Sequence, residues 1–132
     1  MIELVPRLKP VKALDGVAVV ALTGAIDPRN VSVLQAAFET ASRRGYKTLI
    51  LDLGEIRYLN SAGLSCLVGL SDFLASQGGR LELANPQPKV RVVLDLMGLS
   101  MFFKLYPSVE RAVGALGRRS SLRPRVRAGA RP

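Results

Sequence analysis

An α/β fold, a single layer of mixed β-sheet with about five strands and about four helices packed against it, is what this sequence predicts, and three observations carry the prediction. Short runs rich in Val, Ile and Leu alternate with segments whose apolar residues recur every three or four positions. The run Thr48 to Leu53 is almost continuously apolar, which suits a strand covered on both faces rather than one with a wet side. Turn-forming residues, among them Asp15-Gly16, Gly45, Gly78-Gly79, Asn85-Pro86 and Gly98, fall between these segments.

Taken in order, Ile2 to Leu8 and Val17 to Thr23 read as strands joined through a loop containing Pro10, with a turn at Asp15-Gly16. Asp27-Pro28 then starts a helix, with Asp as N-cap and Pro at the first helical position. Its apolar stripe is Val31, Leu34, Ala37, Phe38 and Ala41, and Gly45 ends it. Thr48 to Leu53 is the expected central strand, followed by a short loop. The next helix, about Ala62 to Ser76, is apolar on most sides, so it is expected to be largely buried apart from its first turn. Arg80 to Ala84 follows as a strand and Pro88 to Met97 as a third helix. Met101 to Leu105 reads as a last short strand, and Ser108 is placed to cap a final helix reaching Leu116.

Composition narrows the function. The chain has 132 residues, 48% of them hydrophobic, enough for one core. It has no His and one cysteine, so imidazole-based catalysis, the usual metal clusters and a disulfide framework are excluded. Cys66 lies in an apolar run and reads as a small buried hydrophobe. No apolar run is long enough to cross a bilayer and no signal peptide is legible, so no membrane insertion and a cytoplasmic location are expected. No nucleotide-binding glycine loop followed by Lys-Ser/Thr is present, and the chain is read as a non-enzyme without cofactors.

The formal charge of +9 divides unevenly. Residues 1 to 117, the expected domain, carry 13 Lys and Arg against 10 acids; residues 118 to 132 carry six arginines and no acid. That tail has too few large apolar residues to offset its ordering entropy and is expected to be disordered. Without stacking aromatics among the arginines, direct nucleic-acid binding is not expected of it.

The stretch from Leu51 to Leu64 carries the function. It leads an apolar strand into a helix that begins Asn60-Ser61-Ala62-Gly63-Leu64, which puts a hydroxyl at a helix N-terminus, where unpaired N–H groups and the helix dipole favour added negative charge. Phosphorylation of Ser61 would add a charge of about −1.5 to −2 that the fold tolerates but a docked interface does not. The structural alternative for Ser61 is a capping hydroxyl.

Together with Leu22-Thr23-Gly24-Ala25-Ile26-Asp27 before the first helix and Gly79 to Asn85 after the second, this stretch resembles the STAS domain of bacterial anti-sigma factor antagonists over roughly Ile2 to Leu116. The resemblance implies a partner-switching module regulating transcription: a protein that binds an anti-sigma factor, itself a serine kinase, and is reset by a phosphatase. It implies Ser61 as the phosphorylated residue, because Ala62 stands where the family commonly has its second hydroxyl, while Asn60 replaces a usual Asp. The expected partner-binding residues are Asp27, Arg57, Tyr58, Asn60, Ser61, Ala62 and Gly63, with Arg29 and Asn30 nearby; for Asp27, Gly24 and Gly63 a purely structural role is the competing reading. The competing function is a STAS subunit or scaffold that docks an ATPase of a lipid-transport ABC system or a sensory complex without being phosphorylated. The sequence leaves the oligomeric state open.

Overall fold

The computed structural model describes residues 3–122. The chain runs β1 (Leu4–Pro10), β2 (Val17–Ile26), α1 (Val31–Arg43), β3 (Thr48–Leu59), α2 (Ser61–Ser76), β4 (Arg80–Ala84), α3 (Pro88–Leu96), a 3-10 turn at Leu99–Met101, β5 (Leu105–Tyr106) and α4 (Val109–Leu122). The five strands form one mixed sheet in the order β1-β2-β3-β4-β5. β1 lies antiparallel to β2, and every other pairing is parallel. The strand read as central is central, and both its faces are covered. On one face Leu49, Leu51 and Leu53 pack with Leu34 and Phe38 of α1, Leu64, Leu67 and Leu74 of α2, and Val90 and Leu94 of α3. On the other, Ile50 joins Val17, Val19 and Ala84 beneath Ala112 and Leu116 of α4.

Several boundaries differ from the sequence expectation, each for a physical reason. Asp27-Pro28 does not begin α1. Asn30 N–H donates to the Asp27 carbonyl, closing a turn over 27–30, and the helix starts one residue later. β3 does not stop at Leu53; it continues to Leu59 because Ile56 and Leu59 remain buried while Glu55, Arg57 and Tyr58 face solvent, and the extension keeps pairing with β2 across register shifts at Ala21/Thr23 and Gly24/Ala25. The segment expected as a strand from Met101 is a 3-10 turn followed by a two-residue strand. α2 is less buried than expected. Leu64, Leu67, Leu70 and Leu74 fill the core, whereas Ser61, Ala62, Ser65, Gly69 and Asp72 are exposed, a face of mostly small residues; Cys66 is half-buried.

The final helix is capped by Ser108, whose Oγ accepts from Arg111 N–H at 3.1 Å, and runs to Leu122 rather than Leu116. The boundary drawn at Gly117 therefore falls inside α4. Arg119, expected in the tail, donates from Nη2 to both carboxylate oxygens of Glu82 at 3.1 and 2.9 Å and to the Tyr106 hydroxyl at 3.2 Å. Glu82 is fully buried on β4 and also pairs with Arg80 at 3.1 Å, so α4 is fastened to the sheet by charge as well as by apolar packing. Arg123, Arg125, Arg127 and Arg131 lie outside the described residues. No helix among the described residues is long and apolar enough to cross a membrane.

Candidate functional site

The extended part of β3 delivers α2 to the end of the sheet where the parallel strands finish. Asn60 is the N-cap, with extended backbone; its Oδ1 accepts from Gly63 N–H at 2.8 Å and its carbonyl accepts from Leu64 N–H at 2.9 Å. Ser61 is thus the first residue inside the helix, not its cap. Its side chain is exposed, its carbonyl accepts from Ser65 Oγ at 3.2 Å, and its own hydroxyl has no hydrogen-bond partner among the described residues. Ala62 is exposed beside it. The structural alternative, a capping role for Ser61, is removed by the geometry, because Asn60 already performs it.

Gly63 explains how close the helix end lies to β2. A Cβ built on it would sit 2.5 Å from the carbonyl oxygen of Ile26, so only glycine lets α2 start against the end of that strand. Gly24 has a similar reason: its φ is +120° and an added Cβ would meet the Glu3 carbonyl oxygen at 2.1 Å.

Beyond Ile26 the chain is held by Asp27 and Asn30, both buried. Asn30 Nδ2 donates to the Ala25 carbonyl at 2.9 Å and its Oδ1 accepts from Asp27 N–H at 3.1 Å, pinning the loop back on the strand that it leaves. Asp27 Oδ1 accepts from the backbone N–H and the Nε of Arg29, each at 2.9 Å, and Oδ2 accepts from Nη2 at 3.2 Å. These hydrogen bonds hold the Asp27 carboxyl below the usual carboxylate range and the guanidinium above its own. The carboxylate is hidden while the Arg29 side chain is 73% exposed, so what this loop shows to solvent is a positive group standing on a buried negative one.

The structure therefore gathers the expected residues at one end of the sheet and sorts them. Ser61, Ala62, Arg57, Tyr58 and Arg29 face outward; Asn60 is half-buried and donates to the Tyr58 hydroxyl at 3.4 Å; Asp27, Asn30 and Gly63 are buried and act through the position of the backbone. Arg57 and Tyr58 also border a shallow depression of about 510 Å³ completed by Glu3, Val5, Thr23, Gly24 and Ala25. Glu3, Val5 and Thr23 were missed in the sequence, although the alternation along the first two strands marks them as outward-facing. Among the described residues no group of His, Cys, Asp or Glu is arranged to hold a metal ion.

Comparison with known proteins bears on the fold and the family. A family model described as the STAS domain matches residues 9–112. An anti-sigma F factor antagonist from Paenibacillus polymyxa is 28% identical over 102 residues, covering 76% of this chain and 85% of its own. The crystal structure of an anti-sigma factor antagonist from Mycobacterium paratuberculosis superposes with a TM-score of 0.71 at 27% identity, covering 86% of this chain and 93% of that one. SpoIIAA in its unphosphorylated form gives 0.67 at 26% identity, covering 85% and 96%, and the Bacillus SpoIIAA in its phosphorylated form gives 0.63 at 25% identity, covering 85% and 99%. With the family model spanning most of its length, and with a mixed five-stranded sheet and four helices that match the fold of these structures, this chain belongs to the STAS domain family.

Proposed function

We propose that this protein is an anti-sigma factor antagonist, binding an anti-sigma factor of the serine-kinase type through the strand-end surface around α2 and released from it by phosphorylation of Ser61. The observation that carries the reading is the free, exposed hydroxyl of Ser61 at the first position of a 16-residue helix whose cap is supplied by a different residue. A phosphate there costs the fold no capping interaction and gains from the helix dipole on the order of 1 kcal/mol. Buried in an interface, the same dianion must shed its water, at a cost of several kcal/mol. The names of the relatives support the antagonist role, and a fold neighbour described in both unphosphorylated and phosphorylated forms supports a switch.

Such a module performs no chemistry of its own. It supplies the acceptor hydroxyl and the docking face, and the transfer is the partner's. The test is the affinity for the kinase-type anti-sigma factor: Ser61→Asp weakens binding by tenfold or more with the melting temperature nearly unchanged, and equal affinities refute the switch. A second reading, a STAS subunit that docks an ATPase without being phosphorylated, is favoured by one observation, the methyl group of exposed Ala62 at the family's usual acceptor position. Incubation with kinase and ATP separates the two, since phosphate on Ser61 excludes the second reading and its absence excludes the first.

A further inference from the structure

The end of the sheet opposite Ser61 has features that the docking reading does not use. β2, β3, β4 and β5 all start there, and α1, α2 and α3 all finish there, since each runs back from the finish of the strand before it. α4 ends there as well, because Arg119 lies beside Thr48 and Arg80, the first residues of β3 and β4. Exposed basic residues collect at this end: Lys12, Arg43, Arg44, Lys47, Lys104 and Arg118. The acids near them are Asp15, Glu39, Asp72, Asp95, whose partner is Arg91, and the buried Glu82, neutralised by Arg80 and Arg119. At the Ser61 end the signs nearly balance, with Glu3, Asp27, Asp52, Glu55 and Glu110 against Arg29, Arg57, Lys89 and Arg111. The excess positive charge of the described residues is therefore polarised away from the proposed docking surface.

The most exposed large apolar side chains stand at this basic end. Leu96, at the last residue of α3, is 81% exposed; Met101 and Phe102, at the 3-10 turn, are 86% and 67% exposed. Leu99 and Phe103, on either side of Met101 and Phe102, are buried and anchor the turn beneath them. The exposed side chains share one end of the sheet with an excess of Lys and Arg, and the flat surface of an anionic leaflet can meet both at once. Nucleic acid would use the basic groups but gains nothing from Leu96 and Met101.

We propose that this end is a peripheral membrane contact: Leu96, Met101 and Phe102 insert into the interface of a bilayer rich in anionic phospholipid, while Lys104 and the other basic residues of the same end hold its headgroups. The Ser61 end then faces away from the membrane, free to engage a protein partner.

The experiment uses the full chain and vesicles of phosphatidylcholine with about 30% phosphatidylglycerol, compared with phosphatidylcholine alone, at low and at raised salt. Sedimentation with the anionic vesicles is expected, falling with salt and lost roughly tenfold or more in Met101→Ser/Phe102→Ser, whose exposed positions leave the fold intact by circular dichroism. Met101→Trp is expected to shift its emission to the blue on the anionic vesicles only. Absence of binding to anionic vesicles overturns the proposal. So does binding that the double substitution leaves unchanged, and so does a dimer in solution, or a complex with duplex DNA, that the same substitution abolishes.

Discussion

Two glycines of α2, exchanged for alanine one at a time, are expected to change stability in opposite directions, and the structure sets the sign. At Gly63 the new Cβ would lie 2.5 Å from the Ile26 carbonyl oxygen, 3.1 Å from its carbon and 3.2 Å from Ile26 Cγ2. Ile26 is fully buried at the end of β2, and α2 is fixed by Leu64, Leu67, Leu70 and Leu74, so neither side can retreat freely. Overpacking of this kind costs about 1 to 3 kcal/mol, and the gain in helix propensity, about 1 kcal/mol in a helix interior, is smaller in the first turn. Gly63→Ala is therefore expected to destabilise by about 1 to 2 kcal/mol, lowering the melting temperature by several degrees. At Gly69 the Cβ would meet nothing within 4 Å on the exposed face of the same helix, and Gly69→Ala is expected to stabilise by about 0.5 to 1 kcal/mol. Urea unfolding of the three proteins reads both values. A Gly63→Ala protein as stable as Gly69→Ala would refute the close approach of α2 to β2 on which the geometry of the site rests.

Other expectations follow from the same contacts. Asn60→Ala removes the cap and costs about 1 kcal/mol in thermal denaturation, while Asn60→Asp, which keeps the acceptor oxygen, costs less. Glu82→Ala leaves Arg119 and Arg80 without their carboxylate and is expected to cost about 2 to 4 kcal/mol, much of it recovered when Arg119→Leu is added; a full double-mutant cycle checks the coupling. The Asp27 carboxyl is held below its ordinary value of 3.8 by the hydrogen bonds from Arg29, so its contribution is fully present above that pH and is lost as the pH falls through the lowered folded value. The stability difference between native protein and Asp27→Asn should accordingly be constant near neutrality and shrink below about pH 4 in acid titrations followed by circular dichroism.

Most of the architecture is legible in the sequence because its signals are long. The unbroken run at Thr48 marks the centre of the sheet, and the exact length of β4 and the near-exact length of α3 follow from flanking glycine and proline. The misplacements have local causes. Asp27-Pro28 carries a helix-start signature, yet its carboxylate is taken by Arg29 and its loop by Asn30, so the helix begins later; no propensity scale anticipates a competing side chain two positions on. Gly54 looks like the end of a strand, but β3 continues past it, because irregularities in its pairing with β2 at Ala21/Thr23 and Gly24/Ala25 reset the register and keep Ile56 and Leu59 buried. Arg119 reads as one of a series of solvated arginines; only the fold puts Glu82 opposite it, 37 positions earlier.

At the site, the residue types were readable and their division of labour was not. That Asn60 caps α2, leaving Ser61 unbonded, depends on an extended backbone at Asn60 that the tetrapeptide Asn-Ser-Ala-Gly does not dictate. That Asp27 and Gly63 are hidden follows from tertiary closeness between the β2 end and the α2 start, which no local pattern encodes.

The most direct test is backbone amide exchange on the protein with and without a kinase-type anti-sigma factor bound. Added protection is expected over Asp27–Asn30 and Arg57–Leu64, with little change along α4, and it should vanish for Ser61→Asp at the same concentrations. Protection confined to α4 or to the Met101 turn, with the α2 entrance exchanging as freely as in the unbound protein, would contradict a docking surface built around Ser61.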